Sequence, residues 1–363
     1  PNVKEPENMA VFTLYDNIPI GDGCPAYIVA EIGANHDGDP EIARRCIEAA
    51  AWCGVDAVKF QTYTAAELLS NYHSPITWGR EGATTTEEIG AMFDRIALPR
   101  PAHKPLFDYA HSLGLMAFST PFSVDGLDFL LDELDAPCIK IASSDVSYPD
   151  LLIRAARSGR PVMLAVGKST LAEADTAVST LLDNGCTRLV LMHCVANYPS
   201  RMEEMNLRTL TSLAAMYPEC VIGFSDHSMG ITAALGAVAL GAKVIEKHFT
   251  LDNDRVGPDH WFSMNPDMMM SLVREVRNLE AAMGHPRKRV LPREDEGRYS
   301  AIRSLSLARD MKRGERVAAD DLRVVRPGYG ISPLDREKIL GLPLAADLEK
   351  DSVLEWKHFK SCL

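Results

Sequence analysis

Residues 27–62 read YIVAEIGANHDGDPEIARRCIEAAAWCGVDAVKFQT. An apolar, β-branched run from Tyr27 to Gly33 leads into an amphipathic stretch from Pro40 to Cys53 and then a second apolar run from Val55 to Thr62. That order is the strand, helix, strand signature of a parallel βαβ unit. Asp39-Pro40 places a cap residue before a first-turn proline, and Gly54, like Gly114 and Gly185 further on, stands where a glycine closes a helix. The alternation recurs down the chain. Further apolar runs fall at Leu115 to Thr120, Cys138 to Ser143, Pro161 to Gly167, Arg188 to Cys194, Cys220 to Asp226 and Ala242 to His248. Helical stretches are predicted at Pro101 to Leu113, Ser123 to Leu134, Pro149 to Ser158, Leu171 to Asn184, Asn206 to Met216, Gly230 to Leu240 and Pro266 to Met283. Eight strands, each followed by a helix, over about 250 residues predict an α/β fold of the closed (β/α)8 TIM-barrel type rather than an open doubly wound sheet.

Residues 11–24, with Gly21-Asp22-Gly23, suit a hairpin plugging the bottom of the barrel. The stretch 63–100 is a long insertion after the second strand, and such insertions cover a barrel's active face. Past Met283, Gly284-His285-Pro286-Arg287-Lys288-Arg289 reads as a linker. The expected organisation is therefore a barrel domain over 1–284 with its N-terminal hairpin, a linker over 285–303, and a small, mostly β domain over 304–363.

The chain has 363 residues, 46% hydrophobic and 24% charged, which excludes a disordered polymer. Fifty acidic against 38 basic residues give a net charge of -12, which argues against nucleic acid or an anionic membrane as the main partner. No apolar run reaches about 18 residues and the first ten residues are polar, so a soluble, cytoplasmic protein is expected. The cysteines at 24, 46, 53, 138, 186, 194, 220 and 362 form no CxxC pair and are expected to be reduced, mostly buried thiols.

In a closed barrel the interior is packed, and reactive groups gather where the strands end. Those ends carry Glu31, Lys59 with Gln61, Ser119 with Thr120, Lys140 with Ser143 and Ser144, Lys168, His193, Ser225 with Asp226 and His227, and Glu246 with His248. Burying such groups costs several kcal/mol unless they are paired, roughly, so their concentration points to function. His227 and His248 close neighbouring strands about 5 Å apart, within reach of one ion; the spacing fits either an open divalent-metal site or two hydrogen-bonded core histidines. Lys59 and Lys140 are candidate anion binders or ion-pair partners of Glu31 and Glu246, with Thr120, Ser143 and Ser225 as neutral donors. Glu31 sits in an apolar setting that suits proton transfer or a salt bridge to Lys59. His36 either touches substrate or caps a turn.

Several blocks resemble the sialic acid synthase family: Ala30 to Gly38 (AEIGANHDG), Val58 to Thr62 (VKFQT), Ser119 to Phe122 (STPF), Ile139 to Ser143 (IKIAS), His193-Cys194 through Tyr198-Pro199, Gly223 to Ser228 (GFSDHS), Glu246 to Thr250 (EKHFT) and Gly257 to His260 (GPDH). The last 60 residues resemble the antifreeze-like SAF domain, including Asp310 to Glu315 and Arg326-Pro327-Gly328. The resemblance implies a transferase that condenses phosphoenolpyruvate with an N-acylated amino sugar aldehyde, N-acetylmannosamine or a 2,4-diacetamido-trideoxy relative, giving a nonulosonic acid and phosphate by C–O cleavage. It implies that His227 and His248 hold Mn2+ or Mg2+, that Lys59, Thr120, Lys140, Ser143 and Ser225 bind phosphoenolpyruvate, and that Glu31 handles protons. Gln61, Tyr198, Asp259 and Arg326 would contact the sugar, the arginine reaching across a domain-exchanged homodimer. Two departures are Ala165, where relatives often carry a serine near phosphate that Lys168 or a backbone N–H replaces here, and Ala196, where relatives carry an asparagine. Trp261-Phe262 adds a large apolar pair that favours a deoxygenated or bulkier sugar end. The alternatives are a phosphoenolpyruvate-dependent aldol synthase acting on a phosphorylated sugar, and a catalytically silent sugar-binding protein.

Overall fold

The computed structural model of the chain describes residues 10–15 and 17–359. Eight parallel strands, Tyr27–Glu31, Ala57–Thr62, Met116–Pro121, Ile139–Ile141, Val162–Ala165, Leu189–Cys194, Val221–Asp226 and Val244–His248, close into a barrel in chain order. The last pairs with the first, Val244 opposite Tyr27 and His248 opposite Glu31. Helices Pro40–Cys53, Arg100–Ser112, Val124–Asp132, Pro149–Arg157, Leu171–Asp183, Thr209–Met216, Thr232–Ala239 and Pro266–Met283 follow them. The first helix starts as its sequence dictates: the Asp39 carboxylate accepts from the Glu41 N–H at 2.7 Å, Pro40 opens the first turn, and Gly54 closes the helix at φ 78°.

Several strands stop short of the apolar runs because their last residues leave the ladder to build the mouth. Beyond Glu31, the Gly33 N–H donates to the Glu31 carboxylate at 2.6 Å. Beyond Ile141, Ser143–Asp145 winds into a 3-10 turn.

Strand side chains alternate between faces, and the alternation sorts the core into two layers. Ile28, Ala30, Val58, Phe60, Leu164, Leu191 and Phe224 point outward and pack on the helices. Val29, Ala57, Met116, Phe118, Met163, Val190, Val221 and Val244 point inward and fill the barrel. The expected hairpin pairs Val11–Tyr15 with Ile18–Gly21 and sends Leu14 and Ile20 into that inner layer, beside Tyr27, which closes the bottom of the barrel.

The insertion after the second strand forms a short helix Ala65–Leu68, an antiparallel hairpin Pro75–Arg80 with Ala83–Glu88, and a helix Ile89–Ile96. A second compact unit starts at His285. It contains a helix, Pro292–Ala301, inside the stretch 285–303 that reads as linker. The helix carries no buried residue, which is why no apolar period marks it in the sequence. Beyond it, strands Ser304–Leu307 and Leu322–Val325 pair antiparallel, and isolated bridges and short turns enclose a core of Leu305, Leu307, Met311, Ile331, Leu344 and Leu354. The seven cysteines among the described residues are free thiols, and Cys362 lies outside them. Among the described residues no helix is long and apolar enough to cross a membrane.

Candidate active site

The inward alternation that runs apolar through the barrel turns polar at the strands' C-terminal ends. Glu31, Lys59, Gln61, Thr120, Lys140, Ser225, Glu246 and His248 all line one cavity of about 610 Å³, joined by Ser143, Tyr198, His227 and Asp259 from the loops. Three strand-end groups singled out in the sequence face the other way. The Ser119 hydroxyl pairs with that of Thr62 at 2.7 Å, the His193 ring bonds the Met205 carbonyl at 2.8 Å and stacks on Phe224, and Asp226 holds Lys247 at 3.0 Å. They fix loops and helices, not the cavity. His36 is buried away from the cavity with Nδ1 accepting from the Gly38 N–H at 3.1 Å, so it caps a turn.

Register brings the charges together. Glu31 lies opposite Lys59 and Ser225 opposite Glu246 on adjacent strands. Lys59 is ion-paired with Glu31 and donates to the Thr120 hydroxyl at 2.8 Å. The other Glu31 oxygen accepts from Gly33 N–H at 2.6 Å and from Gln61 at 3.2 Å. A Cβ on Gly33 would collide with the Glu31 and Gln61 side chains, so glycine is required there. Glu246 is the second hub: one oxygen accepts from the Ser225 hydroxyl at 3.1 Å and lies 3.5 Å from the Lys140 ammonium and 3.9 Å from that of Lys59. Its other oxygen is buried without a hydrogen-bond partner.

All four charged groups are at most 4% exposed, and the pairing decides their ionisation. Burial opposes charge on Glu246, but Lys140 and Lys59 outweigh it and bring its pKa down to about 2. Burial also works against the Lys59 ammonium, yet Glu246 and Glu31 hold its pKa above the usual lysine value. Two ammonium groups thus face two carboxylates before any anion arrives. On the far side the Ser143 hydroxyl accepts from Gly167 N–H at 2.8 Å, and a Cβ on Gly167 would lie 2.9 Å from that hydroxyl and 3.0 Å from the Cys194 sulfur. Ala165, Ala196 and Lys168 also line the cavity, so both alanine departures fall on its wall.

His227 and His248 stand with ring centroids 5.2 Å apart, and Tyr198 covers both at 4.2 and 5.7 Å. His227 Nδ1 donates to the Val195 carbonyl at 3.0 Å, and His248 Nδ1 lies 3.1 Å from an Asp259 oxygen. The His227 ring therefore keeps Nε2 for a ligand, the arrangement that outer-shell partners impose on metal-binding imidazoles, while His248 Nδ1 has no hydrogen-bond partner among the described residues. Burial, reinforced by the neighbouring His248, pushes His227 down to about 3 and keeps its lone pair available. Burial opposes protonation of His248 as well, but Asp259 overcomes it and raises the pKa. Among the described residues no cluster of three metal-ligating groups occurs, so an ion here would rely on the two imidazoles with water or substrate completing its shell. The donor set fits an open divalent site.

The cavity has walls that strand-end reading misses. The insertion hairpin and its following helix contribute Ile76, Trp78, Met92 and Phe93, and the third and eighth strand loops add Phe122 and Trp261. The insertion's position predicts a cover; which of its side chains face inward depends on a hairpin whose turn, Glu81-Gly82, is a weak local signal. Arg326 lies exposed in the second unit, immediately after the strand Leu322–Val325, and makes no ion pair or hydrogen bond among the described residues.

A closed eight-stranded barrel with paired lysines, carboxylates and imidazoles converging at its mouth is an enzyme of the TIM-barrel class. The chain belongs to the NeuB family: residues 46–288 match that family and residues 302–360 match the SAF domain. It is 34% identical over 347 residues to the N,N'-diacetyllegionaminic acid synthase of Legionella pneumophila, covering 94% of this chain and 97% of that protein. It is 32% identical over 330 residues to the pseudaminic acid synthase of Helicobacter pylori, covering 91% and 96%. The solved N-acetylneuraminic acid (sialic acid) synthetase of Leptospira borgpetersenii, in complex with citrate, superposes with a TM-score of 0.71 at 33% identity over 80% of this chain and 96% of that one.

Proposed function

We propose that this enzyme condenses phosphoenolpyruvate with an N-acylated amino sugar aldehyde, releasing phosphate and a nine-carbon 2-keto acid. The observation that carries the reading is the convergence of Lys59, Lys140, His227 and His248 on one cavity. The named relatives, synthases of legionaminic, pseudaminic and sialic acids, support it.

Lys59 and Lys140 bind the phosphate and carboxylate of phosphoenolpyruvate, which competes with Glu31 and Glu246 for the two ammonium groups. Thr120, Ser143 and Ser225 add hydroxyl donors, an arrangement preorganised for the charge that develops as phosphate leaves. C3 of the enol attacks the aldehyde carbon, water adds to the cationic C2, and the C2–O bond to phosphate then breaks. Glu31, oriented by Gly33 and Gln61, holds the proton that moves between this water and the nascent hydroxyl. Gln61, Tyr198 and Asp259 position the sugar. His227 and His248 would hold a divalent ion, Mn2+ or Mg2+, which when bound polarises a carbonyl oxygen. The partner's Arg326, in an exchanged dimer, completes the acceptor site.

The test is phosphate release coupled to product mass, with phosphoenolpyruvate, Mn2+ and a panel of six-carbon acylamino sugars. Product acid carrying the sugar plus three carbons, with the bridging oxygen of labelled phosphoenolpyruvate recovered in phosphate, is expected. Absence of turnover with every such sugar overturns the reading in favour of a silent sugar-binding protein. Mixing Arg326→Ala with Glu31→Ala chains should restore part of the activity; failure to complement removes the exchanged dimer.

A further inference from the structure

Of the stretch Ala34 to Gly38, which follows the first strand, only Ala34 lines the cavity. The side chains of Asn35 and Asp37 turn instead to the loop 249–265 that follows the eighth strand. That loop carries three cavity residues, Pro258, Asp259 and Trp261, while His260 among them is absent from the lining and fully buried. The ends of the loop close beside His248: the Thr250 N–H donates to the Met264 carbonyl at 2.9 Å, and the Met264 N–H donates to the His248 carbonyl at 2.8 Å.

Two clasps join the first loop to the last. The Asn35 amide donates at 2.9 Å to the Phe249 carbonyl and at 2.9 Å to the Ser263 hydroxyl, which donates in turn to the Asp259 carbonyl at 2.6 Å. Asp37 sits in the left-handed region at φ 53°, a backbone conformation uncommon outside glycine. One of its carboxylate oxygens accepts from His260 Nε2 at 3.1 Å and the other from the Arg255 guanidinium at 2.6 Å. The second His260 nitrogen lies 2.7 Å from the Thr250 hydroxyl. A Cβ on Gly257 would lie 2.6 Å from the His260 ring, so only glycine lets the loop lie against it. Burial opposes charge on Asp37, but His260 and Arg255 overcome it and hold the carboxyl below its usual value. Asn35, Thr250, His260 and Ser263 are each at most 2% exposed, so this network is shielded from competing water.

Resting on the condensation proposed above, we infer that His260, bridged between Asp37 and Thr250, is a positioning residue that fixes Asp259 beside His248 without itself lining the cavity. With both ring nitrogens engaged the imidazole has one orientation, and the backbone of the preceding residue is held with it. The Asp259 carboxylate, 3.1 Å from His248 Nδ1, depends on that backbone. Lys59, Thr120, Lys140, Ser143 and Ser225 come from other strands, and their side chains share no hydrogen bond with the loop 249–265, Asn35 or Asp37 among the described residues. Loosening the clasp therefore acts on the ion and the acceptor sugar and spares phosphoenolpyruvate, a split that general loss of structure does not produce.

Three constants are read for each variant: the Kd for Mn2+ alone, from the EPR signal of the free ion, the KM for the acylamino sugar that the parent chain turns over fastest, and the KM for phosphoenolpyruvate. His260→Ala should raise the first two about tenfold to a hundredfold, as removal of outer-shell partners does, and leave the third within about twofold. Asp37→Ala breaks the same bridge from outside the loop and should act in the same direction. Asp37→Asn keeps an acceptor for the His260 N–H and should recover most of the loss. Arg255→Ala, which removes only the more exposed ion pair, should leave all three constants near those of the parent. Unchanged Mn2+ and sugar constants in folded His260→Ala, a parallel rise in all three, or an equal loss in Arg255→Ala overturns the inference while the condensation stands. Failure of both His260→Ala and Asp37→Ala to fold, read by thermal melting, overturns it as well, since the bridge is then structural. No turnover of any acylamino sugar by the parent overturns the condensation, and the inference with it.

Discussion

The same eight strands build two opposite ends. At the base, Tyr27, Val221 and Val244 meet Leu14 and Ile20 of the hairpin in one apolar cluster. At the opposite ends of the strands, Glu31 four residues past Tyr27, Glu246 two past Val244, and Lys59 and Lys140 on the second and fourth strands are nearly as deeply buried as the valines. The base gains free energy from every apolar contact. The mouth must offset the cost of burying four ions, and it does so through their mutual pairing and their hydrogen bonds with Gly33, Gln61, Thr120 and Ser225. Removing one partner therefore harms the mouth in a way that no single truncation at the base does.

Glu246→Gln is the harshest test. It leaves the buried Lys140 ammonium without its carboxylate and Lys59 with Glu31 alone, and should cost about 3–5 kcal/mol in urea unfolding as well as most turnover. The same residue sets an acid limb: its carboxyl is depressed in the fold, so its contribution is present above the ordinary value of 4.5 and lost as pH falls toward about 2. Stability of the variant should be flatter across that window, and an unchanged acid limb would refute the pairing. His227→Ala should lower phosphate release by roughly 10²–10³-fold while leaving the melting curve nearly in place, since its ring packs chiefly on Tyr198 and His248. A chelator should reproduce that loss in the parent enzyme, and full activity in chelator would remove the ion from the reading. Ile20→Ala inverts the pattern, costing about 2–5 kcal/mol with kcat per folded molecule unchanged. The mildest change is Ala165→Ser, which returns a hydroxyl to the cavity wall and should lower the KM for phosphoenolpyruvate by about two- to tenfold, the worth of one hydrogen bond.

Much of this contrast is legible in the chain because strand alternation is local. Val29 to Glu31, Ala57 to Lys59 to Gln61 and Val244 to Glu246 to His248 each step by two, so a charged residue at the end of such a series shares the face of the apolar residues before it. Applied strictly, the rule also separates Ser119, His193 and Asp226, which sit one step out of phase and serve the helix layer. The helix Pro292–Ala301 leaves no such mark, since a helix exposed on all sides has no apolar period to read.

By itself the sequence determined the eightfold strand and helix order, the polar strand ends and the NeuB resemblance, all of which follow from short-range periodicity and local motifs. Tertiary structure alone decided that Glu246 shares one oxygen among Ser225, Lys140 and Lys59, and that Trp78 of the insertion lines the cavity with its indole N–H tied to Glu87. The Glu246 contacts join residues from 21 to nearly two hundred positions apart, which only barrel closure brings within a few ångströms, while hairpin register sets Trp78 beside Glu87.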